Sequence, residues 1–343
     1  MAVRLSARVS AYLWPVGAAV LALSALWVAV GLGMHSGAVA FDAGWIEIIQ
    51  GPSCSMRDIL LHGRLPRAVA ALLVGAALSL SGLLLQGVTR NPLADPFLLG
   101  ISGGAGLAVV ALQSLWPRAV DLGPWLIPAV AFGGALLAML AVLHLAQAGG
   151  GRVSLLGLIL SGVVINAFCA ALITFLMARA DPFRLRVTST WLYGGLGFVA
   201  WSHLLGVALV LLGCWLFLRA QAHRLNTFGL GMEGAASVGV DARMLLRRSA
   251  YVASLLAALA VSVAGLLGYV GLIVPHVVRL AVGRDFRVTL PLAPFVGGLL
   301  LLVADVGARM AFAPEELPVG VITAVIGCPV LLALLSAQLR GRR

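Results

Sequence analysis

The chain has 343 residues, of which 62% are apolar and 10% charged; 23 basic residues against 12 acids give a formal charge of +11. A soluble domain carries about a quarter charged residues and disorder requires low hydrophobicity, so the composition excludes both. Every basic residue is arginine; the missing lysine excludes a P-loop, whose lysine reaches the phosphates, and Schiff-base chemistry. In a soluble chain +11 would point to nucleic acid, whereas in a chain this apolar it reports membrane orientation. Cys54, Cys169, Cys214 and Cys328 stand too far apart for a disulfide framework or a zinc knuckle, and no cluster of ligands suggests a metal or other cofactor.

A helix crosses a bilayer with about 20 apolar residues. In chain order the candidates are 12–32, 66–89, 98–115, 124–147, 154–178, 199–218, 248–269, 274–283, 290–309 and 317–338. They predict an all-α polytopic membrane protein of about ten helices forming one domain over residues 1–343. The eighth run is too short to cross alone and reads as a half-helix buried in protein. Arg4 and Arg8 precede the first run, and Ala38-Val39-Ala40 resembles a signal cleavage site. The apolar run before it exceeds the usual signal core, so a retained first helix is the reading. With the N-terminus in the cytoplasm, ten spans return the C-terminus there. The inner segments then hold 15 arginines and four acids, and the outer ones eight of each. The positive-inside rule counts basic residues only, and 15 against eight favours this orientation; the whole net charge also falls inside.

The chain resembles itself at a shift of 183 residues. Ser79-Leu80-Ser81-Gly82-Leu83-Leu84 matches Ser262-Val263-Ala264-Gly265-Leu266-Leu267, and a proline follows each serine at the same distance (Pro92, Pro275). The copies fall in spans of opposite direction, so the halves, roughly 60–180 and 245–340, read as an inverted repeat of the kind that supports alternating access.

Arg64-Leu65-Pro66-Arg67 opens the second span. Pro66 suits a first helical turn, and arginines three apart share a face. They serve either as headgroup anchors or as bidentate seats for a partner's carboxylates. Asn91-Pro92-Leu93-Ala94-Asp95-Pro96 is a strong break. Gly100-Ile101-Ser102-Gly103-Gly104 has the form of a hydrolase nucleophile elbow, but that motif needs a strand-turn-helix context, which leaves close helix packing by small residues as the better explanation. Asp305 and Arg309 have the spacing of a helical ion pair. Mid-membrane carboxylates are otherwise scarce, which counts against an ion-coupled secondary transporter. Residues 219–248 form the longest inner connection, long enough to present a short helix to a cytoplasmic partner.

Taken together, Arg64 to Arg67, Gly75-Ala76-Ala77-Leu78, Ser81-Gly82, Gln86, Asn91 to Pro96, Leu99-Gly100, Gly268 to His276, Arg279, Ala304-Asp305 with Arg309, and Glu316 to Gly320 resemble the permease subunits of the iron-siderophore, haem and vitamin B12 importers of the ABC superfamily. The resemblance covers nearly the whole chain after about residue 60. It implies a non-enzymatic permease subunit of the bacterial inner membrane that pairs with a second permease subunit, as a homodimer or a pseudo-dimer, and works with two separate cytoplasmic ATPase subunits and a periplasmic substrate-binding protein. It further implies that Arg64, Arg67 and Arg309 receive the binding protein's glutamates. Leu230, Gly231, Glu233, Ala235 and Gly239 would belong to an ATPase-coupling helix, and Gln86, Asn91 and Leu93 to the translocation path and its inner constriction. Three positions depart from the pattern: Met232 replaces a glutamate, Leu266 a proline, and Ser154-Leu155-Leu156 small polar gate residues. The implied cargo is a ferric siderophore or haem, with cobalamin as the alternative.

Overall fold

The structure, a computed structural model, describes residues 59–116, 118, 122–147, 155–197, 199–312 and 315–340. The expected first span, the Ala38-Val39-Ala40 site and Cys54 lie outside these residues. A π-helical turn, Ile59–Arg64, leads into α1 (Leu65–Thr89). There follow α2 (Ile101–Leu115), α3 (Leu126–Gln147), α4 (Leu155–Met177), α5 (Pro182–Leu192), α6 (Trp201–Asn226) and α7 (Gly231–Ser237). The chain continues through α8 (Ala242–Ala264), α9 (Val270–Val282), α10 (Phe286–Met310) and α11 (Val319–Arg340).

Nine of these helices occupy the nine expected spans that fall among the described residues. Six are long and apolar enough to cross a membrane, while α2, α9 and α11 contribute shorter apolar stretches. The eighth span is short, as read, although α9 begins four residues earlier than expected. Helix α6 runs to Asn226, two turns beyond the apolar run, and α5 falls outside every expected span.

Helix α1 is the axis of the molecule: 83% of its apolar stretch is buried, against 17% for α4. The cause is visible in its small residues. Gly75 lies against the Gly297 backbone and Gly297 against Gly75 and Ser79, so α10 approaches α1 nearly backbone to backbone. Ser79 Oγ donates to Ala293 O (2.8 Å) along the same seam. On another side Gly82 packs on the Gly271 backbone of α9, and Ser81 Oγ donates to Ala253 O of α8 (2.5 Å). Small residues are the usual device for packing helices in lipid, where burying apolar surface gives no advantage. Helices α2 and α3 repeat it with Gly104 against Gly134. Leu137 of α3, Leu160 and Phe168 of α4, and Leu205 and Leu209 of α6 remain exposed, as expected of surfaces that face lipid.

The two copies of the sequence repeat do not share a local structure. Helix α1 runs unbroken through Gly82 to Thr89, and Pro92 lies in the turn beyond it. The second copy breaks at Gly265, whose φ of 68° ends α8, and Pro275 lies inside α9. A left-handed φ is open to glycine at little cost, and the Trp191 carbonyl packs where a side chain at Gly265 would go.

Candidate functional site

Two constellations sit at opposite ends of α1, and a third lies in the connection between α6 and α8. At the first, Arg64 ends the π-helical turn and Arg67 stands in the first turn of α1. Arg67 Nε donates to Asp305 Oδ1 of α10 at 2.9 Å. Arg67 Nη1 donates to Glu316 Oε2, in the segment between α10 and α11, at 2.6 Å. The expected helical pair is present: Arg309 Nε lies 3.2 Å from Asp305 Oδ2. Asp305 therefore holds both arginines with one carboxylate that has no solvent exposure. Arg64 is buried and within electrostatic reach of Arg309. The structure thus brings Arg64, Arg67 and Arg309 to one end of α1, where Arg67 and Arg309 share Asp305 within the chain. Arg309 is almost covered, its side chain 3% exposed, whereas Glu316 is 52% exposed.

At the other end of α1, Gln86 does not face an open path. It is buried, and its Nε2 donates to Leu272 O at 3.1 Å. Arg279 of α9 reaches back, donating from Nη1 to Gln86 Oε1 (3.1 Å) and from Nη2 to Leu83 O (2.9 Å). The close Gly82–Gly271 approach brings the α9 backbone over Gln86 and makes it a bracket between helices. Arg279 was noted in the sequence without a role, and this bond supplies one.

Asn91 and Leu93 lie in the turn after α1, each half-buried. Asn91 Oδ1 accepts from Leu93 N (3.0 Å), a side-chain turn typical of asparagine. Asp95 caps the following 3-10 turn, Pro96–Leu99, by accepting from Phe97 N at 2.9 Å. Burial nevertheless raises its pKa to about 6, the Phe97 bond acting in the opposite direction. Asn166 of α4 ties this turn down by donating to Phe97 O (2.9 Å) and accepting from Gly103 N (3.1 Å). Ser102, the serine of the elbow-like motif, opens α2 and faces Asn166 Oδ1 at 3.5 Å. Its setting is a helix start packed on α4, not a strand-turn-helix elbow.

In the α6–α8 connection a 3-10 turn, Thr227–Leu230, precedes α7. Glu233 falls in the first turn of α7. Gly239 (φ 77°) closes the helix, with Val240 N donating to Ala235 O and Gly239 N to Ala236 O, both at 3.0 Å. This is a Schellman stop, which favours glycine at that position. Gly231 and Ala235 are buried against the body, while Gly239 is exposed. A side chain at Gly231 would meet Arg90 Nη1, so this segment rests on the residue that ends α1. Val238, exposed at 56%, is the apolar knob of the segment; its valine in a Gly/Ala-rich run was the available signal. Where the connection leaves α6, Asp285 links α10 to α6. Its burial alone would raise the pKa, but bonds from Arg287 N (2.8 Å) and Asn226 Nδ2 (2.7 Å) outweigh that and lower it. Among the described residues no group of His, Cys, Asp and Glu could hold a metal.

Comparison with known proteins places these features in a family. Residues 21–337 match the FecCD transport family. The chain is 40% identical to a hemin transport system permease protein, HmuU of Yersinia pestis, over 84% of this chain and 86% of that one. It is 38% identical to a vitamin B12 import system permease protein, BtuC of Klebsiella pneumoniae, over 87% and 88%. A solved structure assigned to a metal-chelate type ABC transporter in an inward-facing conformation superposes with a TM-score of 0.80 at 27% identity, covering 92% of this chain and 97% of that one. The chain belongs to the FecCD transport family, whose members include the membrane-spanning permeases of ABC importers.

Proposed function

We propose that this permease carries an iron(III) chelate, either a siderophore complex or haem, from the periplasm to the cytoplasm of a bacterium by alternating access. The observation that carries the cargo class is the 40% identity to a hemin permease across most of both chains. Cobalamin is the second reading, favoured by the similar identity to a vitamin B12 permease. Two permease copies would form the path at their shared axis, and two separate ATPase subunits would supply the energy, in keeping with a chain that lacks a P-loop lysine. The arginine distribution supports an orientation with both termini in the cytoplasm. The Arg67 end of α1 then faces the periplasm and α7 the ATPase.

On this reading Arg64 and Arg67 seat carboxylates of a periplasmic binding protein, with Arg309 held behind them. Gly231 and Ala235 set the position of α7, and Val238 and Gly239 are the residues free to enter the ATPase surface. Leu230 and Glu233 flank them in the same segment. Asn91 and Leu93 belong to the inner constriction, next to the Arg90–Gly231 contact. The test uses the assembled importer in nanodiscs. Arg64→Glu with Arg67→Glu is expected to abolish docking of the binding protein and uptake while the permease dimer survives. Undiminished docking would remove the arginines from this role. Titrating the importer's binding protein with ferric siderophore, haem and cobalamin decides the cargo.

A further inference from the structure

We infer that Glu316 is an internal stand-in for the docking partner's carboxylate, closing Arg67 in the undocked permease, while Asp305 is the fixed seat that holds Arg67 and Arg309 in place. The inference rests on the docking role proposed for Arg67 and concerns how that role is regulated.

The two acids on Arg67 are not equivalent. Asp305 sits on α10, has no solvent exposure, and is shared by the Nε atoms of two arginines. Glu316 makes its bond from a half-exposed position between α10 and α11. The backbone on either side of it is anchored: Glu315 N donates to Phe312 O (2.9 Å) and Leu317 N to Ala308 O (3.0 Å). Only the Glu316 side chain has to move for the contact to open, and water can take it up.

Donor geometry gives the exchange its logic. A guanidinium has five N–H donors, and its strong mode with a carboxylate is two parallel bonds. Asp305 occupies Nε and Glu316 occupies Nη1. Glu316 takes one of the two N–H groups on Nη1, so an incoming carboxylate that seeks the two parallel bonds of the Nη1–Nη2 edge has to compete with it. Once Glu316 leaves, that edge is uncontested, and Asp305 keeps the arginine aimed. Glu316 thus lowers resting affinity and neutralises the arginine surface, so unrelated acidic proteins are disfavoured by the same competition that the correct partner overcomes.

The experiment measures affinity of the importer's own binding protein for the permease–ATPase complex in nanodiscs at several ionic strengths. Glu316→Gln is expected to tighten docking roughly two- to fivefold, the scale of an exposed ion pair, and to steepen its salt dependence. In an Arg67→Gln background the same change is expected to do nothing, because its target is gone; an unspecific effect on the surface would persist there. Unchanged or weakened docking of Glu316→Gln overturns the inference. Arg67→Glu separates the two failures. If it docks like the unaltered permease, the docking role itself is wrong. If it loses docking while Glu316→Gln changes nothing, only the competition is wrong.

Discussion

The two ends of α1 each hold an arginine in a low-dielectric setting, and they hold it differently. At one end Arg67 is answered by two carboxylates, from α10 and from the segment after it. At the other, Arg279 is answered by the Gln86 amide and the Leu83 carbonyl. Carboxylates can be exchanged for other carboxylates, so the first arrangement suits an arginine that meets a partner. Neutral acceptors built into α1 offer nothing to exchange, so the second suits a joint that keeps α9 on α1 while the rest of the bundle moves. One helix therefore carries an arginine held by carboxylates at one end and an arginine held by neutral acceptors at the other.

Removing Asp305 is the most damaging way to break the first arrangement. Asp305→Ala leaves Arg67 and Arg309 without their shared buried acceptor, and losing one partner of a buried pair costs about 3–5 kcal/mol. Thermal unfolding of the purified permease in detergent is expected to show a large drop in midpoint. Asp305→Asn, which keeps the shape and an acceptor, is expected to lose less. If Asp305→Ala melts like the unaltered protein, the network at this end contributes no stability and Arg67 is held by something else.

The second arrangement is worth less. Gln86→Leu preserves volume but strips the acceptor from Arg279 Nη1 and the donor from Leu272 O. The expected loss is about 1–3 kcal/mol, the penalty for buried polar groups left unpaired. Gln86→Glu keeps the acceptor and turns the already charge-assisted Arg279 bond into an ion pair, so it is expected to melt above Gln86→Leu. The reverse order would show that Arg279 does not depend on this side chain.

These differences also mark how far the sequence could be read. The spans were legible because apolar runs of the right length have few other uses, and the Asp305–Arg309 pair because its spacing is local. Arg67's acids lie 238 and 249 residues away, beyond any local pattern, so its partner was sought only on another protein. The path role of Gln86 comes from the family resemblance alone; the backbone contact of Gly82 with Gly271 that buries it is a pairing no periodicity reveals. Helix α5 is not legible in the sequence because its mixture of arginine, threonine and valine is neither apolar enough for a span nor polar enough for a loop. It is held by tertiary contact instead, Thr188 Oγ1 donating to Gln113 Oε1 at 2.6 Å.

An effect confined to mildly acidic pH lies at Asp95, whose carboxylate caps a turn and yet is raised by burial from 3.8 to about 6. A carboxyl with a higher pKa in the folded state than in the unfolded state binds its proton more tightly when folded. Stability is therefore greatest below the unfolded value and falls as pH rises toward the folded one. The window runs from about pH 4 to about pH 6. Asp285 works in the opposite sense, since its lowered pKa gives stability above the unfolded value that is lost on acidification. The two slopes overlap only at the acid edge, so Asp95 governs the upper part of the window. Asp95→Asn keeps an acceptor for Phe97 N, as asparagine caps nearly as well as aspartate, and removes the titration. Melting curves across that window are expected to lose their decline between pH 5 and 6 in Asp95→Asn and to keep it in Asp285→Asn. A decline that survives in Asp95→Asn would assign the proton to another group and leave Asp95 as a cap alone.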